Sequence, residues 1–208
     1  MAGKQVRRIV LMTALLVASG CSSRTRGPLL SAPPSAAADN DVYVADADRI
    51  RALRPDGKEQ WTYSLADDLA RLDNEASRDI RIDFLVARSG GKLFGLAMQE
   101  SGRHAGRRIL FALDGNRLIW HREVAYPSQG ITPLAVGSDA VYEAGEDGVL
   151  YAFARMDGKP LWHYRVSGGP LGAPTVGADG TIYITGPRHN LHAVGPDGTP
   201  RWVIETQK

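Results

Sequence analysis

The 208 residues fit one domain, or one and a half at most, and ordinary apolar (43%) and charged (23%) fractions exclude a mostly disordered chain. The formal net charge of +2 rests on the first twenty residues, which hold Lys4, Arg7 and Arg8 and no acid, so the rest of the chain carries −1. That removes the concentrated basic surplus expected of a nucleic-acid binder. The single cysteine, Cys21, excludes an intrachain disulfide framework and an all-cysteine metal site.

In chain order, the first element is an export signal over 1–20. Lys4, Arg7 and Arg8 form its positive region, and Ile9 to Ala18 form an apolar run of ten residues, too short to span a bilayer. Small residues Ala18, Ser19 and Gly20 then lead directly into Cys21. This arrangement resembles the lipobox of bacterial lipoproteins, although Ala18 stands where that family usually has a branched aliphatic residue. The resemblance implies a membrane-lipid partner through acylated Cys21, and Ser22 beside it resembles the outer-membrane sorting pattern. Several acyl chains anchor nearly permanently, at about 0.8 kcal/mol per buried methylene. Residues 21–31 are short, polar and Pro/Gly-bearing, and read as a tether.

Residues 32–208 repeat a set of landmarks four times. Asp56-Gly57, Asp114-Gly115, Asp157-Gly158 and Asp197-Gly198 precede Trp61, Trp120, Trp162 and Trp202 at Asp-to-Trp separations of 5, 6, 5 and 5. An aromatic lies upstream in each unit (Tyr43, Phe94, Tyr142, Tyr183), and between aromatic and Trp stands a small residue (Ala52, Ala112, Ala152, Ala193). The aromatic-to-Trp separation is 18, 20 and 19 in units one, three and four but 26 in unit two, where QESGRHAGRR (99–108) is inserted. This is an internal repeat of about 40 residues.

Each unit reads as four short β-runs split by Asp-Gly and Gly-Pro turns, with bounds near 32–65, 78–125, 130–167 and 171–206. The opening run APPSAA is a poor strand former because of Pro33 and Pro34, and LADDLARLDNEA (65–76) offers a helical turn between units one and two. Four-stranded units of this length predict an all-β protein, a β-propeller of four-stranded antiparallel blades with four repeats, either a partial or a four-bladed ring. A flat Trp at the same place in each blade can lie against the next one.

The segments ALRPDGKEQW, ALDGNRLIW, AFARMDGKPLW and AVGPDGTPRW resemble the tryptophan-docking motif of the PQQ-type, or quinoprotein-like, β-propellers. The resemblance covers about 32–206 and casts Trp61, Trp120, Trp162, Trp202, Gly57, Gly115, Gly158 and Gly198 as structural docking residues. Such propellers commonly hold seven or eight blades, against four visible units. Quinone enzymes of this group are implied to hold PQQ over calcium beside a vicinal disulfide, and this sequence has no Cys-Cys pair.

No residue set stands out as catalytic, and no cofactor or metal is expected. His121 and His163 each follow a repeat Trp, and His189 and His192 are too few for a closed zinc site. The clearest break in the repeat is the insertion in unit two, whose Arg103, His104, Arg107 and Arg108 form a candidate partner-binding loop; acids of the linker (Asp67, Asp68, Asp73, Glu75) could pair with it. The expectation is a lipid-anchored, envelope-facing, non-catalytic scaffold binding protein partners. By analogy with the lipoprotein propeller of the outer-membrane barrel-assembly machinery, it would act in outer-membrane protein assembly. A surface module for glycan or another small ligand is the alternative. If four blades leave an open half-ring, a homodimer would cover its two faces.

Overall fold

The computed structural model of the chain describes residues 32–36, 41–73, 79–88, 92–100, 106–124 and 134–205. These form four antiparallel sheets of four strands, each ordered as the chain runs. The first holds β1 (Ala32–Ala36), β2 (Val42–Asp46), β3 (Arg49–Leu53) and β4 (Glu59–Ser64). The second holds β5 (Ile80–Arg88), β6 (Lys92–Gln99), β7 (Arg108–Asp114) and β8 (Arg117–Val124). The third holds β9 (Leu134–Val136), β10 (Ala140–Ala144), β11 (Val149–Ala154) and β12 (Pro160–Arg165), and the fourth β13 (Thr175–Val176), β14 (Ile182–Thr185), β15 (Leu191–Val194) and β16 (Pro200–Ile204).

The repeated landmarks fall into one cross-strand row in every sheet. Tyr43 pairs with Ala52 and Ala52 with Trp61; the same register joins Phe94, Ala112 and Trp120, then Tyr142, Ala152 and Trp162, then Tyr183, Ala193 and Trp202. The alanine is small because the two aromatics meet across it. Their ring centroids lie 5.9, 6.3, 5.7 and 5.8 Å apart, tilted by 40–49°, a favourable aromatic geometry. One residue before each Trp the outer strand carries an extra position (Gln60, Ile119, Leu161 and Arg201), because the register shifts just past the alanine. A bulge of this kind twists the edge and re-aims the neighbouring side chain.

The first strands of successive blades pack in order, β1 with β5, β5 with β9, and β9 with β13. Among the described residues three hydrophobic cores lie between the sheets, one for each pair of neighbours. Ile50, Leu93 and Phe111 belong to the first, Leu110, Trp120 and Val141 to the second, and Leu150, Tyr142 and Ile184 to the third. Four blades with three cores make an arc.

Two local features answer the sequence directly. Pro33 and Pro34 stand inside β1, where the pairing with β2 slips between Ala32 and Ser35; a bulge asks for no ladder N–H there. The linker expected to hold a helical turn forms α1 (Leu65–Asp73). Ser64 Oγ caps it by accepting the Asp67 N–H at 3.1 Å, with Asp67 and Asp68 in its first turn. Leu65 and Leu69, one turn apart, are buried in the first core.

Candidate functional site

In the two later interfaces the tryptophan of one blade docks on the Asp-Gly turn of the next. Trp120 Nε1–H donates to the Arg155 carbonyl at 3.0 Å, and Trp162 Nε1–H to the Pro196 carbonyl at 2.9 Å. The ring lies over the glycine: a β-carbon at Gly158 would fall 2.6 Å from Trp120, and one at Gly198 2.7 Å from Trp162. Both glycines have positive φ, +70° and +86°. Glycine is therefore needed twice over, for the turn conformation and for the space taken by the indole. The aspartate fixes the turn itself, since Asp157 and Asp197 each accept the backbone N–H two residues on, at 3.1 Å. Hydrogen bonds from Lys159 and Thr199 hold these two carboxyls below the usual range.

The other two tryptophans are not docked this way. Trp61 packs against the first core, and among the described residues nothing lies within 4 Å of a β-carbon at Gly115. The cause is the length of the unit-two turn. Asp114 pairs directly with Arg117, so Gly115 sits in a two-residue hairpin, and Asp114 follows its row alanine by two positions where Asp56 and Asp197 follow theirs by four. The short turn offers no platform, and α1 fills the outer part of that interface instead. At the ends of the arc, Trp202 is 42% exposed, against 7% for Trp120. Among the described residues, nothing lies within 4 Å of the β-carbon position of Gly57, whose φ is +79°.

Of the candidate partner-binding loop, Arg103 and His104 lie outside the described residues, as does Cys21. Arg107 pairs with Glu123 of its own blade at 2.9 Å. Arg108 is not on a loop at all. It opens β7, is buried, and its guanidinium meets buried Glu143 of β10 at 2.8 Å. It is an inter-blade ion pair, withdrawn from any partner. The linker acids do not turn toward this loop where they are described: Asp68 pairs with Arg71 at 3.0 Å and accepts the Tyr63 hydroxyl at 3.0 Å.

The remaining titratable groups also serve the fold. His192 is buried and shares a hydrogen bond of 3.1 Å with the Tyr164 hydroxyl across the third interface. Its desolvation lowers its pKa. Tyr151 donates to Asp147 at 2.6 Å, and burial followed by that carboxylate pushes the phenol up. Asp179 is held down to about 2 by hydrogen bonds from Thr181 and Arg201. A quinone resting on calcium would need a convergent set of oxygen donors. Among the described residues no three His, Cys, Asp or Glu side chains gather, and Asp56, Asp157 and Asp197 already accept backbone N–H groups. These residues do not fit that group. The surface does hold an apolar groove of about 390 Å³ between α1 and the outer edge of the second blade, lined by Leu72, Leu118, Ile119 and Trp120, with Arg71 and His121 at hand.

Residues 105–208 match the PQQ-type family model described as outer membrane protein assembly factor BamB. BamB of Shewanella oneidensis is 23% identical over 192 residues, covering 91% of this chain and 48% of that protein. Among solved structures, BamB from Moraxella catarrhalis superposes with a TM-score of 0.58 at 19% identity, over 84% of this chain and 48% of its own. A protein of unknown function from Bacteroides caccae gives 0.59 at 9% identity, over 86% and 62%. The quinohemoprotein alcohol dehydrogenase from Comamonas testosteroni gives 0.56 at 16%, over 85% and 35%. At these identities the structures show a shared fold, and the chain spans about half the length of the Shewanella relative it matches.

Proposed function

The chain belongs to the PQQ-type β-propeller family whose model is described as assembly factor BamB, and from that premise we propose that it is a non-catalytic, protein-binding scaffold of the bacterial envelope, acting in outer-membrane protein assembly. The observation that carries this reading is the use made of its polar groups. Arg108, Glu143, His192, Tyr164 and the turn aspartates are all committed to holding blades together or shaping turns. What the chain presents outward is sheet edge, turn and the apolar groove beside α1, which are surfaces for proteins rather than for chemistry. The same reading places residues 1–20 as a signal removed on export. Acylated Cys21 then serves as the anchor in the membrane, on the periplasmic side of the outer membrane where the host has two.

Two measurements test this. Affinity capture of the full chain from solubilised envelope should bring down barrel-assembly components; retention of glycan with no protein partner would overturn the scaffold reading. Metabolic labelling with a palmitate analogue should mark the wild-type chain and leave Cys21→Ser unlabelled. Equal labelling of the two would remove the anchor.

A further inference from the structure

Among the described residues, Trp202 is an exposed indole of the docking row and Pro55–Gly57 an uncovered turn of the docking type, and they match. Trp202 stands in its blade where Trp162 stands in the third, and its ring meets Tyr183 at 5.8 Å as Trp162 meets Tyr142 at 5.7 Å. Its frame is therefore already set, yet the indole is exposed, along with Val203 and Ile204 beside it. The turn at the other end is equally preformed. Pro55-Asp56-Gly57 repeats Pro196-Asp197-Gly198, the turn that receives Trp162, in sequence and in spacing from the row alanine. Its backbone repeats as well. Gly57 N–H donates to Arg54 O at 2.8 Å and Arg54 N–H to Lys58 O at 2.9 Å, where Gly198 donates to Gly195 at 2.9 Å and Gly195 to Thr199 at 2.7 Å. Asp56 accepts the Lys58 N–H at 3.0 Å as Asp197 accepts that of Thr199 at 3.1 Å. The φ values of Gly57 and Gly198 are +79° and +86°. The difference is occupancy: an indole covers Gly198, and among the described residues nothing within 4 Å covers the β-carbon position of Gly57.

We propose that Trp202 docks on the Pro55–Gly57 turn of a second copy of this chain, donating its Nε1–H to the Pro55 carbonyl, so that two arcs close head to tail into one ring. Each copy gives one tryptophan and receives one, so a two-fold axis satisfies both contacts at once. The contact is the one this chain already makes between its third and fourth blades, so it needs no new surface.

The test is the mass of the full-length chain in mild detergent, by light scattering corrected for the micelle, at micromolar concentration. Two chains are expected. Trp202→Ala should raise the dissociation constant by about tenfold or more, as loss of a central aromatic anchor does. Because Trp202 is exposed, that variant should keep the wild-type circular dichroism. Gly57→Val should dissociate the pair equally, by filling the seat. Mixing the two variants should restore a dimer, since the Gly57→Val chain still gives its Trp202 to the intact turn of the Trp202→Ala chain. A wild-type mass of one chain would overturn the proposal, and so would a dimer indifferent to Trp202→Ala, a mixture that stays dissociated, or recovery only with a different propeller chain. Envelope capture does not depend on copy number, so failure here leaves the scaffold reading standing.

Discussion

The indole of Trp162 occupies the space that a side chain at residue 198 would need: a β-carbon there would fall 2.7 Å from ring Cδ2. Gly158 stands in the same relation to Trp120, whereas Gly57 shares only their positive φ. An alanine at any of the three meets backbone strain of about 1 kcal/mol. At 158 and 198 it also collides with a packed ring, adding about 1–3 kcal/mol. Urea denaturation at concentrations low enough to keep the chain monomeric should rank Gly158→Ala and Gly198→Ala well below Gly57→Ala in stability. Equal losses at all three positions would mean the indoles are not seated on the turns.

The tryptophans should separate by burial. Trp120→Ala empties a buried, hydrogen-bonded site and is expected to cost about 3–5 kcal/mol. Trp162, half-buried, should cost less, and Trp202→Ala in the monomer should stay below about 1 kcal/mol. Thermal or chemical unfolding of the three variants, compared at one protein concentration, measures the order.

The Arg108–Glu143 pair joins the second and third blades with both side chains out of solvent. Removing one charge strands the other, so Glu143→Ala should destabilise the fold by about 3–5 kcal/mol. Replacing both, as Arg108→Met with Glu143→Leu, should recover most of that loss, because two apolar groups have no charge to desolvate. A double-mutant cycle in urea reads the coupling. A double variant as unstable as Glu143→Ala would show that the site needs its charges for more than mutual pairing.

His192 gives the third interface a dependence on pH. Its folded pKa is lowered by desolvation, so between that value and the unfolded value of about 6.5 the unfolded chain binds more protons. The contribution is complete above about pH 6.5 and is lost as the pH falls through the lower folded value. His192→Gln keeps an amide that can meet the Tyr164 hydroxyl and does not titrate, so the slope of stability against pH near 6 should flatten in that variant.

Much of this architecture could be read from spacing alone, because the aromatic, alanine and tryptophan of each unit lie on one row and a sheet admits only one register that aligns them. The separations of unit two concealed its difference. An Asp-to-Trp distance of 6 looks close to 5, but the number that matters runs from the row alanine to the aspartate, and Asp114 follows Ala112 by two positions where the docking turns need four or five. The short hairpin at Gly115 therefore gives Trp61 no seat of the kind that Gly158 and Gly198 offer. Arg108 was out of reach for another reason. It belongs to the inserted segment by sequence, and its buried partner is 35 residues away on another blade, a relation without local signature.

The interlock of the later blades is polar in the sense that a plug and a socket are: each unit carries its indole on one side and its receiving turn on the other. A unit copied from the fourth blade and inserted after it would find Trp202 waiting and would present a fresh tryptophan in turn, with no compensating change elsewhere. The junction between the first and second blades has no such grammar, since α1 and a clipped hairpin occupy it. A unit inserted at that junction would find no turn to dock on, whereas one inserted between the third and fourth blades would both receive Trp162 and seat its own indole on the Pro196 turn.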